Sequence, residues 1–180
     1  MLKPRLTRIQ PDGSRNIFVE LESAALAIFS GSVDIKITDA DGRTIRDTKQ
    51  ERIDKTKDLS ELVAKYKPGD RLLRAMLQSY SVSTADQNNE LVHLYEIREA
   101  LSLAFHGEDN ARRALTIPRV QWSRLGQLCN DEPLRQGRHR GRGIGTLRDA
   151  TEGELSETRQ IAREMIEAYL IYRDRGGVAK

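Results

Sequence analysis

The stretch TADQNNELVHLYEIREALSLAFHG, residues 84–107, decides the fold that this sequence predicts. Residues 84–87 have the spacing of a capping box, and the His-Gly pair at 106–107 is a stop signal. Between them, apolar and aromatic side chains recur every three or four positions and share one helical face with an arginine: Leu91, Leu94, Tyr95, Arg98, Leu101 and Phe105. We therefore expect an amphipathic helix through Phe105 that packs this face against other helices.

Helical signals flank this stretch on both sides. Upstream, the capping-box spacing at residues 58–61 predicts a helix that ends at Tyr66, and Asp70 caps a helix over residues 71–79. Downstream, helices are expected over residues 108–115, from Pro118 to about Cys129, and from a capping box at Thr151 to about Asp174. The C-terminal part is thus predicted to be an α-helical bundle.

The N-terminal part has β character instead. Residues 16–21 and 24–29 are short apolar runs, and VDIKIT at residues 33–38 alternates apolar and polar side chains as a half-buried strand does. Turn signals lie at residues 11–14 and 39–42, and the second predicts a hairpin to residues 44–46. We expect an α+β protein with a small antiparallel β unit at residues 1–52 and the helical bundle at residues 53–180.

Composition excludes several classes of protein. The longest apolar run, residues 24–29, is far shorter than the roughly 18 residues that span a bilayer, and no signal-like apolar stretch follows Met1. The one cysteine, Cys129, cannot form an intramolecular disulfide and is interpreted as a buried thiol. The three histidines lack metal-ligand spacing. We expect a cytoplasmic protein with no membrane contact, metal or cofactor.

The positive charge of the chain is concentrated in one glycine-rich segment. Residues 133–148, here called the basic loop, carry no acidic residue and five arginines, so their charge of +5 exceeds the +3 of the whole chain: Arg135, Arg138, Arg140, Arg142 and Arg148. Because the planar guanidinium matches phosphate geometry, Arg138, Arg140 and Arg142 are predicted phosphate-binding residues. The alternative is a solvated loop whose arginines pair with nearby acidic helix faces.

A histidine in this loop suggests chemistry. Neighbouring cations favour the neutral form of the His139 imidazole, which a general base needs, and Arg135 could stabilise charge growing on a phosphate. This chemistry suits metal-independent RNA cleavage; the alternative is that His139 only orders the loop. Arg98 should point inward and needs an acidic partner from elsewhere, with Asp131, Glu132 and Asp149 as candidates. We assign Arg98, Glu96 and Asn130 supporting roles.

The arrangement of LYEIRE at residues 94–99 in one long helix, with Arg138-His139 after another, resembles the HEPN superfamily. It also resembles small bacterial proteins in which a β-rich part precedes such a region. The resemblance covers about residues 87–175 and implies a helical, homodimeric domain. HEPN ribonucleases use an Arg followed by a His; Arg135 and His139 match that order with three residues between them, and Gln136 is the polar residue after the Arg.

Two functions follow as expectations. The first is a HEPN-like protein directed at RNA or nucleotide phosphate, such as a metal-independent ribonuclease of a bacterial defence or toxin system. The alternative is a non-catalytic module that uses the basic loop to bind nucleic acid or a protein partner.

Overall fold

The computed structural model describes residues 6–9, 15–21, 24–29, 34–39, 41–143 and 145–178. Most of these residues are helical, and short antiparallel strands lie near the N-terminus. The chain divides into two compact units, Met1–Ser60 and Glu61–Lys180. The boundary expected after residue 52 falls inside the first helix.

Three strands lie at the start of the first unit. They are β1 (Leu6–Ile9), β2 (Arg15–Leu21) and β3 (Ala24–Phe29), paired antiparallel in the order β1-β2-β3. The strands predicted at residues 16–21 and 24–29 are confirmed. The turn predicted at residues 11–14 lies outside the described residues.

The predicted hairpin is present as β4 (Lys36–Thr38) and β5 (Thr44–Asp47), which pair antiparallel with Ile37 opposite Arg46. Its turn is closed by the Asp39 carboxylate, whose Oδ1 accepts hydrogen bonds from the backbone amides of Asp41 and Arg43 at 3.0 and 2.8 Å. Gly42 has a φ of +80°, which favours glycine at this position.

Helix α1 (Thr48–Tyr66) begins earlier than its sequence signal. The Asp47 carboxylate accepts a hydrogen bond from the Gln50 amide at 3.1 Å and so caps the helix. The predicted start at residues 58–61 is wrong, because no proline or glycine interrupts the chain between Thr48 and that box. Ser60 instead donates its hydroxyl to the Lys57 carbonyl within the helix at 2.7 Å.

The described residues of the second unit contain the end of α1 and five further α-helices: α2 (Arg71–Ala85), α3 (Glu90–Ala104), α4 (Glu108–Leu115), α5 (Arg119–Gly126) and α6 (Glu152–Asp174). The predicted caps at Asp70 and Thr151 are confirmed, as is the helix over residues 108–115.

The predicted helix start at Thr84 is wrong. This residue lies in α2, which runs six residues beyond its expected end, and its hydroxyl donates to the Ser81 carbonyl at 2.7 Å. A 3₁₀ turn (Gln87–Asn89) then leads into α3. Likewise, α5 stops before Cys129, and a π-helical turn (Gln127–Asp131) carries that cysteine.

The core of the second unit is built from the inward faces of these helices. The predicted stripe on α3 is largely confirmed, because Leu91, Leu94 and Leu101 are fully buried. On α6 the buried set includes Ala162, Met165, Ile166 and Tyr169. Trp122 of α5 is also fully buried, and its ring lies against the guanidinium of Arg98 on α3.

Candidate phosphate-binding loop

The basic loop is closed at its two ends by backbone hydrogen bonds. A parallel bridge joins Leu134 to Arg148, in which the Arg135 amide donates to the Arg148 carbonyl and the Arg148 amide donates to the Pro133 carbonyl, both at 3.0 Å. Gly137 packs tightly at the base, since a Cβ at this position would lie 3.1 Å from the Cys129 carbonyl oxygen. The two ends of the loop are therefore held next to each other by the bridge between Leu134 and Arg148.

Cys129 lies under the loop in the π-helical turn. Its carbonyl accepts a hydrogen bond from the Arg138 amide at 2.9 Å, and its side chain is fully buried. Burial raises the pKa of the Cys129 thiol to about 12, against the opposing charges of Arg98 and Arg138. The expected role as a buried structural thiol fits this position, because a protonated thiol is a poor nucleophile.

Arg138 ties the loop to α3. Its guanidinium lies 4.4 Å from the centroid of the Tyr95 ring, and Nη1 donates to Glu99 Oε1 at 3.0 Å. Its charge is thus compensated by a carboxylate on a neighbouring helix face, as the alternative interpretation of the loop expects for this arginine.

Arg140 is held differently, by neutral oxygens. Nε donates to the Gly137 carbonyl at 3.1 Å, and Nη2 donates to the Asn88 carbonyl at 2.9 Å and to Asn89 Oδ1 at 2.5 Å. Among the described residues, no carboxylate forms an ion pair with Arg140. Hydrogen bonds to neutral oxygens thus hold this guanidinium in place, and no carboxylate in the described part of the chain compensates its charge.

Two further arginines sit at the ends of the loop. Arg148 donates from both terminal nitrogens to Glu154, at 2.6 and 2.8 Å. This contact, together with hydrogen bonds from Thr151, lowers the pKa of the Glu154 carboxyl to about 2. Arg135 lies 4.0 Å from Asp149 and its side chain is 63% exposed, so that contact neutralises it weakly.

The remaining predicted site residues are dispersed. His139 is exposed. Asn130 donates to the side chain of its neighbour Asp131 at 3.2 Å. Glu96 accepts a hydrogen bond from Ser79 at 2.8 Å and lies 3.8 Å from His93. The side chain of Arg142 lies outside the described part of the structure. Glu96 and Asn130 therefore have contacts with residues other than the arginines of the loop.

Arg98 points inward as predicted, but the prediction of its acidic partner is wrong. Its acidic partner is Glu108, at 2.7 Å, and not Asp131, Glu132 or Asp149. The turn between α3 and α4 explains this: His106 and Gly107 both have positive φ, and the reversed chain brings Glu108 back to α3. Arg98 therefore joins α3 to α4, whereas Arg138 contacts α3 from the loop and Arg140 contacts the 3₁₀ turn that precedes α3.

Sequence reasoning missed a buried ion pair between α3 and α6. Glu90 is 1% exposed, and both its oxygens accept hydrogen bonds from Arg159, at 2.5 and 2.8 Å. A signal was present, because Glu90 precedes Leu94, Ile97 and Leu101 at spacings of four, three and four and so lies on the buried face. Its burial predicts a cationic partner.

Within the described ranges, no helix has both the length and the apolar character needed to cross a membrane. The same residues bring together no group of three His, Cys, Asp or Glu side chains that could hold a metal ion. Comparison of the chain with protein-family models, with curated proteins and with solved structures gave no match. The site is therefore interpreted from its own chemistry.

Proposed function

We propose that this chain is a HEPN-like protein that binds RNA or another phosphate-bearing ligand through its basic loop. The observation that carries the proposal is the setting of Arg140, a guanidinium immobilised by three neutral oxygens. A cation that is held in place and, among the described residues, pairs with no carboxylate attracts an anion, and little side-chain entropy is lost when it binds one.

The neighbours of Arg140 add to this positive surface. Arg135 projects from the same loop with most of its side chain in solvent and supplies a second cation. Arg148 contributes less, since Glu154 compensates its charge at close range. The net +5 of the loop is therefore only partly available to a ligand.

The proposal is tested by replacing Arg140 with alanine. Binding of a fluorescein-labelled single-stranded RNA is followed by fluorescence anisotropy over a range of KCl concentrations. We expect the variant to bind more weakly and the slope of log K against log salt to fall by about 0.7 in magnitude, the value for one phosphate contact on a single strand.

A matched control is Arg113→Ala on α4. Arg113 is exposed and, like Arg140, is bonded to neutral oxygens, of Asp109 and Asn110, but it lies outside the loop. We expect this variant to bind as the wild type does. An equal loss of RNA affinity in both variants would show only nonspecific attraction to a basic protein. An unchanged RNA affinity of Arg140→Ala would exclude the loop as the binding site.

Metal-independent RNA cleavage is the second candidate, favoured by one observation: the His139 imidazole is exposed between Arg138, which pairs with Glu99, and Arg140, which neutral oxygens hold in place. In that reaction the imidazole removes the proton of a ribose 2′-hydroxyl, whose oxygen attacks the adjacent phosphate. The bond from phosphorus to the 5′-oxygen breaks, and the departing 5′-hydroxyl takes its proton from the imidazolium or from water. Wild-type protein should cleave RNA in EDTA and leave a 2′,3′-cyclic phosphate, and His139→Ala should bind RNA but not cleave it. Wild-type protein that binds RNA and leaves it intact contradicts this candidate alone.

The HEPN resemblance also predicts a homodimer. Size-exclusion chromatography with light scattering measures the mass directly, and a monomer at working concentration argues against the dimeric architecture without affecting the binding proposal.

A further inference from the structure

Four side chains form a continuous series of cation–π contacts from the basic loop into the core. Arg138 lies 4.4 Å from the Tyr95 centroid, Arg98 lies 5.3 Å from the same centroid, and Arg98 lies 5.3 Å from the Trp122 centroid. Trp122 is fully buried, Tyr95 is partly exposed and Arg138 is at the surface. Tyr95 is thus the outermost ring of the series.

The Tyr95 ring has a fixed orientation. Its hydroxyl accepts a hydrogen bond from Arg98 Nη1 at 2.8 Å, and Arg98 is in turn held by Glu108. Gly126 makes room for this arrangement, because a Cβ there would stand 3.4 Å from the Arg98 guanidinium carbon. A ring held this way is preorganised to stack against a flat group.

Arg138, which covers this ring, is held less firmly. Its side chain is 32% exposed and that of its partner Glu99 is 48% exposed. Solvent-exposed ion pairs and cation–π contacts each change an equilibrium by a factor of about five or less. A phosphate near the loop offers Arg138 an anionic partner of equal charge and better bidentate geometry.

We propose that Tyr95 is a nucleobase-stacking residue of the basic loop, covered by Arg138 until a phosphate of the ligand draws that guanidinium away from Glu99. This inference rests on the proposed RNA binding and adds a ligand preference. A base reaches the ring only when it is unpaired, so the ligand class is single-stranded RNA. Stacking of one base on an aromatic side chain raises affinity by about 5- to 100-fold. The two exposed Arg138 contacts together amount to about 25-fold at most, and the ion pair with phosphate replaces the one with Glu99.

The test separates stacking from charge by comparing two ligands of equal length and charge. One is a single-stranded RNA, and the other is the same strand with every base removed. Wild-type protein should bind the base-containing strand more tightly than the abasic strand, by about 5- to 100-fold. Equal affinity for both strands overturns the inference and leaves the proposed function standing, whereas binding to neither strand overturns both.

Two variants locate the effect at the ring. Tyr95→Leu should lose most of the preference for the base-containing strand and bind the abasic strand within about twofold of wild type, since its contacts to phosphate are unchanged. Tyr95→Phe keeps the ring and should keep the preference, although it lacks the hydroxyl that Arg98 bonds.

A merely structural role for Tyr95 gives a different pattern. If the ring only supports the loop, Tyr95→Leu lowers the affinity for the base-containing strand and for the abasic strand by the same factor, and this result overturns the inference. Thermal unfolding of each variant accompanies the binding curves. If Tyr95→Leu does not fold, the wild-type comparison of the two strands decides the question.

Discussion

Glu154 offers a direct test of what anchors the C-terminal end of the basic loop to α6. Its carboxylate does two things at once: Oε2 accepts a hydrogen bond from the Thr151 amide at 2.8 Å in the capping box of α6, and both oxygens accept from Arg148. Glu154→Gln keeps an acceptor for the capping box but removes the charge, and Glu154→Ala removes both functions. The pair of variants therefore separates the two contributions.

The expected magnitudes follow from exposure. The Glu154 side chain is 18% exposed and that of Arg148 is 45% exposed, so the ion pair is shielded only on one side. For such a bidentate but half-solvated pair we expect Glu154→Gln to lower the free energy of unfolding by about 1 kcal/mol at pH 7. Glu154→Ala should lower it by about 2 kcal/mol, because loss of the capping contact adds about another 1 kcal/mol.

The pH dependence supplies a second signature. The folded-state pKa of Glu154 is about 2, below the ordinary value of 4.5, so the pair stabilises the fold above pH 4.5 and loses this effect as pH falls through 2. The difference in stability between wild type and Glu154→Gln should be constant near pH 7 and shrink towards zero near pH 2. Its slope cannot exceed about 1.4 kcal/mol per pH unit, the limit for one proton.

Urea unfolding followed by far-UV circular dichroism, repeated from pH 7 to pH 2, measures both quantities. Subtracting the two proteins cancels the acid sensitivity of the carboxyls that they share. A Glu154→Gln variant as stable as wild type at pH 7, or a difference that does not change with pH, would refute the reasoning that this charge pair anchors the end of the loop to α6.

Three other predictions concern the core of the helical unit. Arg159→Leu leaves the Glu90 charge buried and unpaired and should lower the free energy of unfolding, measured in urea, by about 3–5 kcal/mol. The double change Glu90→Leu/Arg159→Leu should lower it much less, and an equal loss in both variants contradicts this prediction. Tyr169→Phe removes the hydroxyl that donates to Asp70 at 2.9 Å and should cost about 1–2 kcal/mol by the same measurement, while an unchanged unfolding midpoint argues against that bond. Cys129, whose thiol pKa burial raises to about 12, should resist a disulfide reagent in the native protein and react once urea unfolds it, so rapid native labelling disproves its burial.

Local signals in the sequence predicted local structure. The caps at Asp70 and Thr151 and the helix over residues 108–115 depend on residues within a few positions of each other, and the structure has them as expected. The same kind of spacing misled at residues 58–61 and 84–87, because a capping box predicts a start only if the preceding residues are not already helical. The four residues of a capping box do not show whether the residues before them are already helical.

Partners across the fold could not be predicted in this way. Arg140 finds its acceptors 51 and 52 positions away at Asn89 and Asn88, and Arg138 pairs with Glu99, 39 positions away. These contacts depend on where the 3₁₀ turn and α3 lie relative to the loop. The arginines of the loop can be identified from the sequence. Only the three-dimensional arrangement distinguishes Arg138, whose charge is compensated by the Glu99 carboxylate, from Arg140, whose described partners are neutral oxygens.

The closure of the basic loop between Leu134 and Arg148 has a consequence for how such a protein can change its ligand. Because the two ends are joined to each other by their own hydrogen bonds, the register of α6 does not depend on what lies between them. The entropy of closing a loop grows slowly with its length, so inserted or exchanged residues in the interior carry a small penalty. Exchanges within the loop can therefore alter its ligand preference with little effect on the helices, provided that Gly137, Arg138 and Arg140 keep their contacts.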